Sequence, residues 1–169
     1  EHLILSTMHT VDASETLGRL VEFFPATKQP QVRSILAGVL RGVISQQHIP
    51  RADKRGRVAA LEILINTPAV SNLIRQGKLD QLENTMQSGA QFGMRTMDTA
   101  IQELLDKSMI TGRSAYEKST NKQRFEFIRR DHRRIGVERA VGLALNGNDG
   151  GSRIELAIEV RHELVADEP

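Results

Sequence analysis

His9, Thr10 and Asp12 are the residues whose types and spacing best suit chemistry in this sequence. They follow Leu3-Ile4-Leu5-Ser6-Thr7-Met8, a short apolar-rich run that reads as a buried strand. Asp12 precedes Glu15 by three residues, the spacing of a capping box, so its carboxylate can accept from the first amides of a helix. A strand end, a polar turn and a capped helix therefore meet at His9-Thr10-Val11-Asp12. In open α/β sheets ligands bind at the carboxyl ends of strands, and helix N-termini there present free N–H groups to anions. An imidazole beside a phosphate can donate a hydrogen bond and gain charge if its pKa rises. From spacing alone the structural reading weighs more, because N-capping is already a sufficient task for Asp12.

The elements that must position this turn are legible from periodicity. After Asp12, Leu17, Leu20, Val21 and Phe24 share one helical face, limited by Pro25, and Val32, Ile35, Leu36 and Val39 mark a second helix over 29–40. Two extended runs, Val43 to Ile49 and Val58 to Ile65, flank the polar turn Pro50-Arg51-Ala52-Asp53-Lys54-Arg55-Gly56 and predict a β-hairpin. Thr67-Pro68 supplies an N-cap and a first-turn proline for a helix that ends at Gly77. Helical pattern continues over 79–86, and Gly89 and Gly93 break it. It resumes at Met97, Ile101, Leu104 and Leu105, then in pieces near 114–118 and 121–130. Residues 146–152 read as a turn-rich linker, and alternation at Ile154, Leu156, Ile158 and Val160 predicts a strand in need of a partner.

Composition narrows the function classes. Hydrophobic residues make up 39% and charged residues 26% of the 169, an ordinary globular balance for one compact domain. No apolar run approaches the roughly 20 residues that span a bilayer, and the absence of cysteine excludes thiolate metal sites. His2, His48, His132 and His162 lack metal-ligand spacing, so no metal site is expected. The net charge of +2 divides into +5 over residues 1–130 and −3 over the remainder. Arginines gather between Arg124 and Arg134, but Trp is absent and there is one Tyr, which leaves little for base stacking. A solvated helix face is the reading, and no nucleic-acid partner is expected. Phe92, Phe125 and Phe127 read as packing anchors.

Several segments carry a family resemblance, in order along the chain. His9-Thr10-Val11-Asp12-Ala13 resembles the His box of secretion and pilus ATPases. Gly42-Val43-Ile44-Ser45-Gln46-Gln47-His48-Ile49-Pro50-Arg51-Ala52-Asp53 is similar to the G-V-I-S-Q-Q-L-L-P-R-A-D segment of type IV pilus retraction ATPases. Gly56-Arg57-Val58-Ala59-Ala60-Leu61-Glu62 matches G-R-V-A-A-x-E in the same proteins. Ala69-Val70-Ser71-Asn72-Leu73-Ile74-Arg75-Gln76 resembles their A-I-R-N-L-I-R-E motif, and Gly93-Met94 through Met97-Asp98 resembles G-M-Q-T-M-D. The resemblance covers residues 2–130 and is to the PilT-type twitching motility ATPases of the secretion ATPase superfamily. Val11 stands where the family has Asn; Ser71 stands where it has Arg and Gln76 where it has Glu, and these last two alter the surface charges that their helix offers a partner.

The resemblance implies a C-terminal part of a RecA-like α/β domain, a P-loop NTPase, followed by a helical region. Residues 1–66 would be the back half of the ATPase core, 67–130 a helical C-terminal region, and 131–169 an unassigned tail holding the 146–152 linker and a 154–160 strand. It further implies a cytoplasmic hexamer peripheral to the inner membrane that retracts pili, with ATP and Mg2+ as cofactors of the full-length protein and the pilus machinery as partner. His9 would sense the phosphates, with Thr10 and Asp12 near the nucleotide; Asn72, Leu73, Ile74 and Arg75 would serve retraction. No G-x-x-x-x-G-K-[ST] loop occurs in the sequence, and that loop supplies the amide cradle, the phosphate-binding Lys and the Mg2+-binding hydroxyl. The expectation is a fragment that lacks Walker A and Walker B and neither holds nucleotide nor hydrolyses ATP alone. The alternative is a non-enzymatic module that oligomerises or docks on a full-length motor.

Overall fold

The structure, a computed structural model, describes residues 2–126 and the strand at 153–160. Its elements in chain order are β1 (His2–Met8), α1 (Ala13–Glu22), α2 (Gln29–Val39), β2 (Leu40–Pro50), β3 (Arg57–Ile65), α3 (Pro68–Gln76), α4 (Leu82–Ser88), α5 (Met97–Asp106), α6 (Gly112–Lys118) and β4 (Arg153–Val160). Short 3-10 turns at Leu79–Gln81 and Ala90–Phe92 precede and follow α4. Residues 122–126 are helical.

Four helices start on side-chain caps, and those at Asp12 and Thr67 are the two that the sequence places. Asp12, Thr67, Thr96 and Thr111 each accept a backbone N–H from the first turn of α1, α3, α5 and α6. The helix α3 closes on Gly77, whose φ of 73° is the left-handed conformation that a Cβ disfavours. Its predicted extent, and those of α1, α2 and the hairpin β2–β3, agree with the structure to within a few residues. Pairing in the hairpin runs from Gly42 opposite Ile65 to Pro50 opposite Arg57.

The sheet order is β1-β4-β2-β3, with every neighbouring pair antiparallel. It follows that β1 and β2 run parallel to each other, one strand apart, and are joined by the α1–α2 crossover. The strand expected at 154–160 is present as β4 and finds its partners within this chain, Ile158 opposite Ile4 and Leu156 opposite Val43. A register shift falls at Leu40/Gly42, where a Cβ on Gly42 would lie 2.8 Å from the Leu64 carbonyl oxygen. Glycine is required there by space.

The strand β1 corrects one expectation. It forms where the apolar run predicts, but it is an edge strand and is not buried: Leu3 is 64% and Leu5 73% exposed. A run of apolar residues signals burial only when both faces of its strand are covered. Phe92 likewise is 56% exposed, whereas Phe125 is fully buried. Phe127, the 146–152 linker and the helical piece beyond residue 126 lie outside the described residues.

Two apolar clusters hold the described part together. The first joins α1, α2, β2, β3, α3 and α4 through residues such as Leu17, Leu36, Val43, Leu64, Ile74 and Leu82. The second joins the distal part of the hairpin to α5, α6 and the 122–126 turn through Ile49, Ala60, Met97, Ile101, Ala115 and Phe125. The strand β3 belongs to both, with Leu64 in one and Ala60 in the other. Between them on the same face lies Glu62, 7% exposed.

Candidate functional site

The turn at 9–12 leaves the carboxyl end of β1 and enters α1. His9 is exposed, and its carbonyl accepts from Arg19 Nη1 at 3.2 Å. Thr10 is buried; its hydroxyl lies 2.7 Å from that of Thr16, which itself donates to the Asp12 carbonyl at 2.8 Å. With the Thr16 proton so used, Thr10 supplies the proton of the pair. Asp12 Oδ1 accepts the Glu15 amide at 2.8 Å, as the capping spacing predicts. Glu15 reaches back to accept the Val11 amide at 2.9 Å and pairs with Arg19.

The amide of Ala13 completes this arrangement from outside the helix. It donates 2.9 Å to Oε1 of Glu62, on the buried face of β3. The same oxygen accepts the Ser45 hydroxyl of β2 at 3.1 Å, and Oε2 accepts the amide of Met97, the first residue of α5, at 3.2 Å. One residue on, the buried Asp98 accepts the amides of Thr120 at 2.7 Å and Asn121 at 2.8 Å. Two carboxylates thus satisfy helix-terminal donors that would otherwise be orphaned beneath the sheet.

This geometry corrects the expectation that the start of α1 presents free N–H groups to an anion. The amides of Val11, Ala13 and Glu15 are taken by Glu15, Glu62 and Asp12 of the chain itself. The exposed His9 also stands at the turn. Asp12, Glu62, Glu83 and Asp98 line a cavity at the start of α1 together with Thr96 and Thr120, and neither His9 nor a cation is among its lining residues. Among the described residues no three His, Cys, Asp or Glu are grouped to hold a metal ion.

Burial pushes the Glu62 carboxyl above the ordinary glutamate range, reinforced by the negative charge of Asp12 and opposed by the bonds from Ala13, Met97 and Ser45. A carboxyl raised in the folded state binds its proton more tightly there than in the unfolded chain. Its contribution to stability is fully present below the unfolded value, about 4.3 for glutamate, and is lost as pH rises through the folded value. Urea unfolding at successive pH values is expected to show this decline on moving up from the ordinary glutamate value. The slope should be absent from Glu62→Gln, which cannot titrate.

The four residues matched to the retraction motif lie on α3. Ile74 is fully buried and Leu73 packs partly against the first cluster, while Asn72 and Arg75 are exposed, and Asn72 accepts from Gln76 at 3.1 Å. Ser71, in place of the family's Arg, donates to the Ala37 carbonyl at 2.7 Å and ties α3 to the end of α2. The structure does not bring these residues together with His9, which precedes α1, into one bonded set. Sequence reading did not single out Glu62 and Asp98 as buried carboxylates that bind helix-terminal amides. A signal existed for Glu62: it is the charged member of the inward series Ala60, Glu62, Leu64.

No family model matches the chain. A twitching motility protein of Neisseria gonorrhoeae is 41% identical over 126 residues, covering 75% of this chain and 34% of that protein. The type IV pilus retraction ATPase PilT of Pseudomonas aeruginosa is 42% identical over 124 residues, covering 73% of this chain and 36% of that protein. Among solved structures, the pilus retraction motor PilT with bound ADP matches with a TM-score of 0.62 at 38% identity, over 71% of this chain and 33% of that one. The ATPase DotB of Legionella pneumophila shares the fold, with a TM-score of 0.52 at 22% identity over 63% of this chain and 29% of that one. The α/β, RecA-like fold class is thereby established. Over about three-quarters of its own length the chain is similar to the PilT-type pilus retraction ATPases, and it spans about a third of the relatives it matches.

Proposed function

We propose that this chain is part of an ATP-driven motor for type IV pilus retraction, whose phosphate- and magnesium-binding groups are supplied by polypeptide other than the residues seen here. The observation that carries the reading is the likeness, at 41% and 42% identity, to proteins named for twitching motility and pilus retraction. Two features of the chain support it. His9 is exposed at the carboxyl end of β1, where the chain turns into α1. The turn bearing it is held from below by Thr10 and Asp12, so it can meet a phosphate without rearranging. In this reading His9 senses the phosphates, and the exposed Asn72 and Arg75 of α3, backed by Leu73 and Ile74, form the surface used in retraction. The working protein is a homo-oligomer, a hexamer by family resemblance, peripheral to the inner membrane on its cytoplasmic side, with pilus machinery as partner. No helix among the described residues is long and apolar enough to cross a membrane.

Phosphate release tests the reading. The chain alone is expected to show no magnesium-dependent hydrolysis of ATP. Joined to a segment that carries a G-x-x-x-x-G-K-[ST] loop and hydrolyses ATP, it should lose about 10²-fold in kcat on His9→Ala, the usual cost of one donor to a developing charge. Hydrolysis by the chain alone that is abolished by His9→Ala would overturn the division of the site.

A second reading is favoured by the exposed apolar residues on the sheet. Leu3 and Leu5 of the edge strand β1, with Ile44 of β2, leave apolar surface facing solvent, as an oligomerisation or docking module would. Light scattering that finds only monomer across the working concentration range disposes of self-association.

A further inference from the structure

The carboxylate of Glu62 holds the first peptide of α1 and the first peptide of α5 at once, at 2.9 and 3.2 Å. These helices have no sequence proximity: Ala13 and Met97 come together only because β3 passes beneath both. On one side Ala13 directly follows the 9–12 turn. On the other, Asp98 follows Met97 and holds Thr120 and Asn121, where the last described helical turn begins. A single run of charge-assisted bonds therefore leads from the turn, through Glu62 and the start of α5, to residue 121. Each helix N-terminus carries a partial positive charge that calls for an anion, and Glu62 supplies one anion to two of them.

Resting on the reading of His9 as the phosphate-facing group, we propose that Glu62 is a positioning residue for the 9–12 turn, clamping it to the N-terminus of α5 so that the turn and the C-terminal helices shift together. A nucleotide-dependent displacement at His9 would then reach α5 and residues 120–121 without passing through solvent-exposed loops. The alternative is that Glu62 merely satisfies two buried amides that do not report on each other.

The charged and titratable groups facing Glu62 are Asp12 from the cap of α1, Glu83 from α4 and Asp98 from α5, with the Ser45 hydroxyl from β2. Protonating Glu62 weakens one of its two oxygens as an acceptor, and the clamp predicts that both ends respond. Proton–nitrogen correlation spectra of the whole chain across the acid-to-neutral range read this directly. The Ala13, Met97 and Thr10 amides are expected to share one titration component with a midpoint above the ordinary glutamate range. In Glu62→Gln that component should vanish from all three. In Glu62→Asp, one methylene shorter, one of the two amides should lose the component while the other keeps it, and Thr10 should follow Ala13. A Thr10 curve unchanged in Glu62→Gln, or separate midpoints for Ala13 and Met97, would overturn the proposal. Should the glutamine variant fail to fold, the wild-type midpoints and the aspartate variant decide by the same criteria. None of these spectra contains nucleotide, so a failed clamp is told apart from a failed motor reading, which His9→Ala and phosphate release test separately.

Discussion

Glu62→Ala is expected to lower the unfolding free energy of this chain by about 2–5 kcal/mol, one of the largest single-residue effects in the molecule. The substitution leaves the amides of Ala13 and Met97 and the hydroxyl of Ser45 without their acceptor. Each buried donor left unpaired costs about 1–3 kcal/mol. Against this stands the relief of no longer burying a carboxylate, the same burial that raises its pKa. The loss of several donors' partner outweighs the relief of one partly compensated charge, so the sign is destabilising. Glu62→Gln retains one acceptor oxygen but turns an N–H₂ group toward a donor, and a smaller loss of about 1–3 kcal/mol follows. Glu83 lines the same cavity from α4 but is exposed, so Glu83→Ala should stay within about 0.5 kcal/mol. Urea unfolding of the three variants gives the order. An alanine variant at Glu62 as stable as the parent would mean that water enters and replaces the carboxylate.

How much of this was legible in the sequence depends on whether the deciding contact is local. Asp12, Thr67 and Gly77 act on residues three or four positions away, and each is where the sequence places it. The β2–β3 hairpin is local in the same sense, its register following from alternation on both sides of one polar turn. The exposure of Leu3 and Leu5 was not legible, because it depends on which strand lies beside β1 and what covers its outer face. The occupation of the α1 amides was half legible. Bonds from Asp12 and Glu15 are sequence-local, but the bond from Glu62 spans 49 positions and exists only once the sheet is assembled. Glu62 appears in the sequence as the last residue of a family-like segment, and its placement in an inward series was the clue that it would be buried with partners.

Phe125→Ala should cost about 3–5 kcal/mol, the usual range for truncating a fully buried phenylalanine. The ring is completely enclosed, against a cluster that includes Ile49, Ala60, Met97, Ile101 and Ala115. Small neighbours such as Ala60 and Ala115 cannot swing in to fill the void, so the cavity term stays near its upper range. Phe23 and Phe92, at 76% and 56% exposure, provide the contrast: their alanine variants should change stability by no more than about 0.5 kcal/mol. The distribution of the loss matters as much as its size. The first cluster contains neither Phe125 nor the α5 and α6 residues around it. Hydrogen exchange in Phe125→Ala is therefore expected to speed up first at the amides of α5, α6 and 122–126, ahead of those in α1 to α4. Met97 is where this effect meets the carboxylate clamp, since its side chain packs in the second cluster while its amide donates to Glu62. Through the clamp, loosening the ring's pocket reaches Ala13 by that one carboxylate, and the Ala13 amide should exchange faster in Phe125→Ala than the amides deeper in α1. Uniform acceleration along the whole of α1 would instead mean that the two clusters unfold as a single unit.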